Sequence, residues 1–111
     1  MGGYDRNKKV TGVLDPIQVN YMSLEVDQKV ILFAMIDCIC LEKSFVEEIQ
    51  EEVSKIIGIA KHQIIISCIH THSAPCYFKL TFESVPAETA LTQNLKEQIK
   101  KICYIVISTC K

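Results

Sequence analysis

The sequence predicts an α/β fold: a small layered sheet with a strand-helix-strand crossover, followed by a C-terminal helix. Three observations predict it. Two apolar runs, Lys29 to Asp37 and Gln63 to His70, are too short for ordinary helices and rich in β-favouring residues. The segment between them is amphipathic at helical spacing, and a second helical stripe closes the chain. At 49% apolar and 23% charged over 111 residues, the chain has enough apolar content for a core, which excludes disorder and low complexity. No repeat or linker divides it, so residues 1 to 111 read as a single domain.

The elements follow in order. Residues 1 to 18 form an irregular lead-in, in which Val13 to Pro16 is extended or turned because proline keeps its predecessor out of the α region. Tyr21 to Val26 alternates, Met22, Leu24 and Val26 on one face and Tyr21, Ser23 and Glu25 on the other. That is the period of a half-buried strand whose polar face looks toward solvent or a missing layer. Asp27-Gln28 breaks it, making a hairpin with Lys29 to Asp37, a strand covered on both faces. Ser44 with Glu47 reads as a capping box, and Phe45, Ile49, Val53, Ile56 and Ile57 keep helical spacing until Gly58 stops the helix. Gln63 to His70 is then a second buried strand, parallel to the first through a right-handed crossover. His62 opens this strand after Lys61 and faces solvent.

Cys76, Phe78, Leu80 and Phe82 alternate with polar neighbours as a further strand or extended arm, before a turn at Pro86. In the last helix, from Leu91, the positions Leu95, Ile99, Ile102, Cys103 and Val106 share one stripe, with Lys96, Lys100 and Lys101 in solvent. Ile102 to Ile107 is apolar on every side. A helix of that kind lies inside something larger, so a homo-oligomer or a partner covering it is expected.

Charge and patterning exclude several classes. Twelve basic against thirteen acidic residues give a net charge of −1, with no footprint for nucleic acid or anionic lipid. No apolar run approaches the roughly 20 residues of a spanning helix, so no transmembrane segment is expected. The charged N-terminus has no apolar stretch behind it, which implies a cytoplasmic protein, and Arg6 stands where a myristoylation motif wants Ser or Thr. The six cysteines read as reduced thiols, and Cys38-x-Cys40 as ordinary packing at a strand end. Glu47, Glu48, Glu51 and Glu52 read as the solvated face and first turns of a helix.

One constellation carries chemistry: His70-Thr71-His72-Ser73-Ala74-Pro75, at the C-terminal end of the second buried strand. Ligands collect at that edge of parallel sheets. In extended backbone, residues two apart share a face about 6 to 7 Å apart, so His70 and His72 can converge on one ion or substrate. Neutral imidazole suits zinc, although a catalytic zinc takes three protein ligands. The plainer reading has both rings hydrogen-bonded to carbonyls or water. Asp37, at the same edge, orients an imidazole or binds metal itself, or in the plainer reading caps a loop backbone. Ser73 lacks a nucleophile elbow, which argues against a serine-hydrolase triad.

The string His-Thr-His-Ser-Ala-Pro resembles the His-Thr-His-Ser-Gly-Pro signature of the neutral/alkaline, non-lysosomal ceramidases. The strand-helix-strand pattern before it, Gly12-Val13-Leu14-Asp15-Pro16, and the strand ending at Asp37 are similar too. The resemblance spans most of the chain, from about Gly3 to the last helix. It implies the N-terminal part of a zinc-dependent amidohydrolase domain that cleaves the N-acyl bond of ceramide or a related lipid amide. By the same resemblance His70 is a zinc ligand and His72 the catalytic residue that contacts substrate or the developing oxyanion. The family's other ligands, a His, a Glu and a Tyr, come from later chain and match nothing here, and Ala74 stands where the family has Gly. Two alternatives stay open: another metal-dependent hydrolase of the H-x-H type, and a non-catalytic binding or assembly module that keeps the fold.

Overall fold

A computed structural model describes residues 11–75, 77 and 89–109. Among these, β1 (Val19–Val26) and β2 (Lys29–Ile36) form the expected hairpin, Val19 opposite Ile36 and Val26 opposite Lys29. Asp27 and Gln28 both take positive φ, 48° and 63°, the pattern of a two-residue turn whose twist matches its strands. The chain then enters α1 (Lys43–Ile57) and returns as β3 (Ile64–Cys68), parallel to β2 with Leu32 opposite Ile64. The sheet order is β1-β2-β3, and α2 (Thr89–Thr109) completes the described elements. The small α/β class and the parallel crossover are therefore as the periodicity predicts. The strand expected around Cys76 to Phe82 and the lead-in before residue 11 lie outside the described residues.

Both helices cover one face of the sheet. Leu32 and Ile36 of β2 and Ile64 of β3 meet Phe45, Ile49 and Val53 of α1 and Leu95, Ile99 and Cys103 of α2 in one core, which Tyr77 also joins. Gly58 ends α1 at φ 74°, donating its N–H to Ser54 O at 2.9 Å; glycine takes this left-handed turn without a Cβ penalty. The start differs from expectation. Helix α1 begins at Lys43 with Glu42 in the cap position, two residues before the expected cap, so Ser44 lies inside the first turn and no side chain caps the helix. Gln50 donates to Ile64 O at 2.7 Å and Gln63 to Val30 O at 2.7 Å, tying α1 and the 3₁₀ turn at Lys61–Gln63 to the sheet. His62 is in that turn and exposed, as expected of its side chain but not of its element.

The faces of β1 are reversed from the expectation. Val19, Tyr21 and Ser23 turn inward because the register sets them opposite Ile36, Ala34 and Leu32, the buried residues of β2. Met22, Leu24 and Val26 face out and are 49–58% exposed. Across the same outer face, Phe33 pairs with both Met22 and Ile65, while Met35 and Ile65 are exposed as well. So β2 and β3, expected to be covered on both faces, are covered on one. Among the described residues this outer side is largely apolar, with Asn20 and Ser67 flanking Met35.

The second correction concerns charge. Lys96, expected in solvent, is 8% exposed and bridges two carboxylates of α1, Glu48 and Glu52, the latter at 3.2 Å. Lys100 reaches Glu52 at 2.8 Å and Glu97 at 2.7 Å. Partners advance along both helices together, so α1 and α2 run in the same direction. Lys96 keeps its ammonium at the helix seam while its aliphatic stem is covered.

Hydrogen bonds from Lys100 and then Lys96 hold the Glu52 carboxyl below its ordinary range, and Glu48 before Glu52 holds the Lys96 ammonium above its own. The Glu52 contribution is therefore present above about pH 4.3 and lost as pH falls through the lowered native value. The lysine contribution is present below about pH 10.4 and lost as pH rises through the raised native value. Replacing Glu52 by glutamine should cost up to about 1 kcal/mol at pH 7, because the carboxylate is partly solvated. Urea unfolding should show wild type and variant converging as pH drops below about 4, and a gap that stays constant would exclude this network as its source.

Candidate metal centre at the end of β3

Strand β3 ends at Cys68, and Ile69 makes the last ladder bond, its N–H to Ile36 O at 3.1 Å. The chain then leaves the extended conformation, since His70 has φ 64°. A left-handed non-glycine residue is uncommon, and histidine is among the types enriched there. Strain of this kind costs about 1–3 kcal/mol and persists only where the surroundings over-determine it. Here the restraint is visible: His70 Nδ1 lies 2.8 Å from Ile39 O, just past the end of β2. A carbonyl oxygen only accepts, so Nδ1 carries the proton. In the neutral ring that leaves Nε2 as the bare nitrogen, the arrangement in which a backbone carbonyl orients an imidazole for metal.

His70 and His72 come together with ring centroids 5.0 Å apart and planes at 78°. The pairing survives although its expected basis does not. Alternation along a strand was the reason to expect convergence, whereas the structure achieves it by a turn that starts at His70. Two imidazoles on one tetrahedral zinc, with Zn–N of about 2.0–2.1 Å, have centroids about 5 Å apart. Edge-to-face ring packing spans the same distance. The 5.0 Å separation is common to both arrangements. Among the described residues no three His, Cys, Asp or Glu side chains converge as a metal site.

Asp37 follows β2 at this edge, and its carboxylate accepts the Gln18 N–H at 2.9 Å while its own N–H goes to Gln18 O at 3.0 Å. Among the roles expected for Asp37, this contact is the backbone cap. It fixes the start of β1 against the end of β2. Ser73 is exposed, and its N–H reaches Thr71 Oγ1 at 3.4 Å. Ala74 is 1% exposed and does not have positive φ, so its methyl group sits in the loop without backbone strain.

Beneath the loop, the Cys38 thiol lies 3.4 Å from Cys68 Sγ and donates toward it. Burial pushes both thiols upward from their ordinary range, and the hydrogen bond to Cys68 pushes Cys38 further. Sequence reasoning took Cys38 for packing and did not pair it with Cys68. The parallel register that sets Ile36 beside Cys68 brings them together. A scan against family models matches none, and searches of curated proteins and of solved structures likewise return no match.

Proposed function

We propose that this chain carries the N-terminal half of a ceramidase-like zinc site, serving hydrolysis of the N-acyl amide bond of ceramide or a related lipid amide. The observation that carries the reading is His70, held at positive φ with Nδ1 on the Ile39 carbonyl and the His72 ring 5.0 Å away. The His-Thr-His-Ser-Ala-Pro string supports it. His70 would hold the ion through Nε2, with the Ile39 carbonyl fixing tautomer and ring plane. His72 would contact the amide carbonyl and, when protonated, donate to the oxyanion that develops there. Zinc, when bound, supplies Lewis-acid polarisation and a water of lowered pKa. The His70 imidazole alone leaves its coordination incomplete, so ligands from elsewhere must complete it, and binding by this chain alone should be weak.

The apolar outer face of the sheet favours a second reading, a binding or assembly module that keeps the fold without the chemistry. The two readings separate on zinc. Calorimetry on the full chain should show one weakly bound zinc, together with no meaningful ceramide hydrolysis with or without the ion. No zinc binding at all would leave the module reading. Robust turnover would establish the enzyme class and contradict incompleteness.

A further inference from the structure

Cys38 and Cys68 are a second pair of reactive side chains at the same end of the sheet. Cys38 follows the end of β2 and is fully buried; Cys68 is the last residue of β3 and half-buried. Their sulfurs are 3.4 Å apart, and both are free thiols. A disulfide needs about 2.05 Å, so closure requires the sulfurs to approach by a little over 1 Å. Side-chain rotation and a small shift of the strand ends supply that. The backbone here is already fastened on both sides of the pair, by Ile69 N–H to Ile36 O and by His70 Nδ1 to Ile39 O.

We propose that Cys38 and Cys68 are an oxidation site that a hydroperoxide converts to an intrachain disulfide, locking the ends of β2 and β3 together. Cys68, the half-buried member, is the sulfur open to the oxidant. Its sulfur attacks the peroxide oxygen, the O–O bond breaks, and the products are Cys68 sulfenic acid and one water or alcohol. The Cys38 sulfur then attacks the Cys68 sulfur, the S–O bond breaks, and hydroxide leaves with the Cys38 proton as a second water. Two thiols are oxidised by two electrons and one peroxide is reduced. Because Cys38 is fully buried and Cys68 half-buried, oxidant reaches the pair slowly, and the reaction is stoichiometric, a response to sustained oxidant. The link closes a loop that contains all of α1, which narrows the unfolded ensemble. It does not depend on zinc binding.

The test treats the reduced full-length chain with hydrogen peroxide, alkylates it, and maps the cysteines by fragmentation mass spectrometry. The expected result is a mass lower by about 2 Da before alkylation and loss of two of the six alkylatable thiols. The cross-link should join Cys38 to Cys68, reverse with dithiothreitol, and raise the urea midpoint. It should persist in Cys40→Ser and Cys76→Ser and be absent in Cys68→Ser, with Cys38 alkylated once that variant is unfolded. The wild-type map decides the matter even where a variant folds poorly. Cross-links from Cys38 or Cys68 to other cysteines instead, Cys68 driven to sulfinic acid with Cys38 still alkylatable, or six thiols unchanged would each overturn the proposal.

Discussion

Replacing Ile49 by alanine should lower the unfolding free energy by about 2–5 kcal/mol, the range for truncating a fully buried isoleucine. Ile49 is 0% exposed and belongs to the core where α1 meets the sheet and α2. The substitution removes the transfer free energy of the lost methyl and methylene groups. It also leaves a cavity, because neighbours on three different elements relax only in part. A domain of this length is stable by about 5–15 kcal/mol, so the variant loses a large share of the total. Ile56, on the same helix and 54% exposed, is the control. Its alanine variant should stay within about 1 kcal/mol of wild type. Urea unfolding with an unchanged denaturant slope checks both, and equal losses at the two positions would contradict the placement of the core.

Zinc binding should weaken at least about tenfold when His70 is replaced, since loss even of a group that only orients a ligand costs roughly 10- to 100-fold. Alanine at φ 64° adds backbone strain that histidine tolerates better. His70→Asn is therefore the more informative variant, because asparagine accepts the left-handed conformation and removes the imidazole. His72→Ala, which removes the ring assigned to the substrate and not to the ion, should leave zinc affinity near that of wild type. Calorimetry on these variants checks the assignment, and affinity unchanged in His70→Asn would remove the metal site.

How much of this was legible depends on which level of structure a residue answers to. Local signals carried the hairpin, the helix ended by Gly58, and the parallel return through Ile64 to Cys68. Alternation in Tyr21 to Val26 gives a period but not which phase faces inward. The more apolar phase, Met22, Leu24 and Val26, lost to Tyr21 because pairing with Ala34 on β2 decides the inner face. Lys96 was misplaced for a similar reason. Its burial depends on Glu48 and Glu52 of a helix 48 and 44 residues away, which no local window contains.

At the candidate site the sequence located His70 and His72 and the strand end that carries them. It did not show the turn that joins them, because the spacing argument assumed extended backbone and His70 is left-handed. The contact from His70 to Ile39 and the approach of Cys38 to Cys68 both come from the parallel pairing of β2 and β3. Such contacts exist only once register is fixed. The backbone cap that Asp37 makes with Gln18 likewise depends on how the start of β1 meets the end of β2.

The most direct test of the central claim, that the backbone prepares His70 as a zinc ligand, is imidazole nitrogen NMR near pH 8. Neutral His70 should appear as the Nδ1–H tautomer hydrogen-bonded to the Ile39 carbonyl, and added zinc should shift its Nε2 resonance while Nδ1 keeps its proton. An Nε2–H tautomer at His70, or ring resonances that zinc leaves unmoved, would contradict the account.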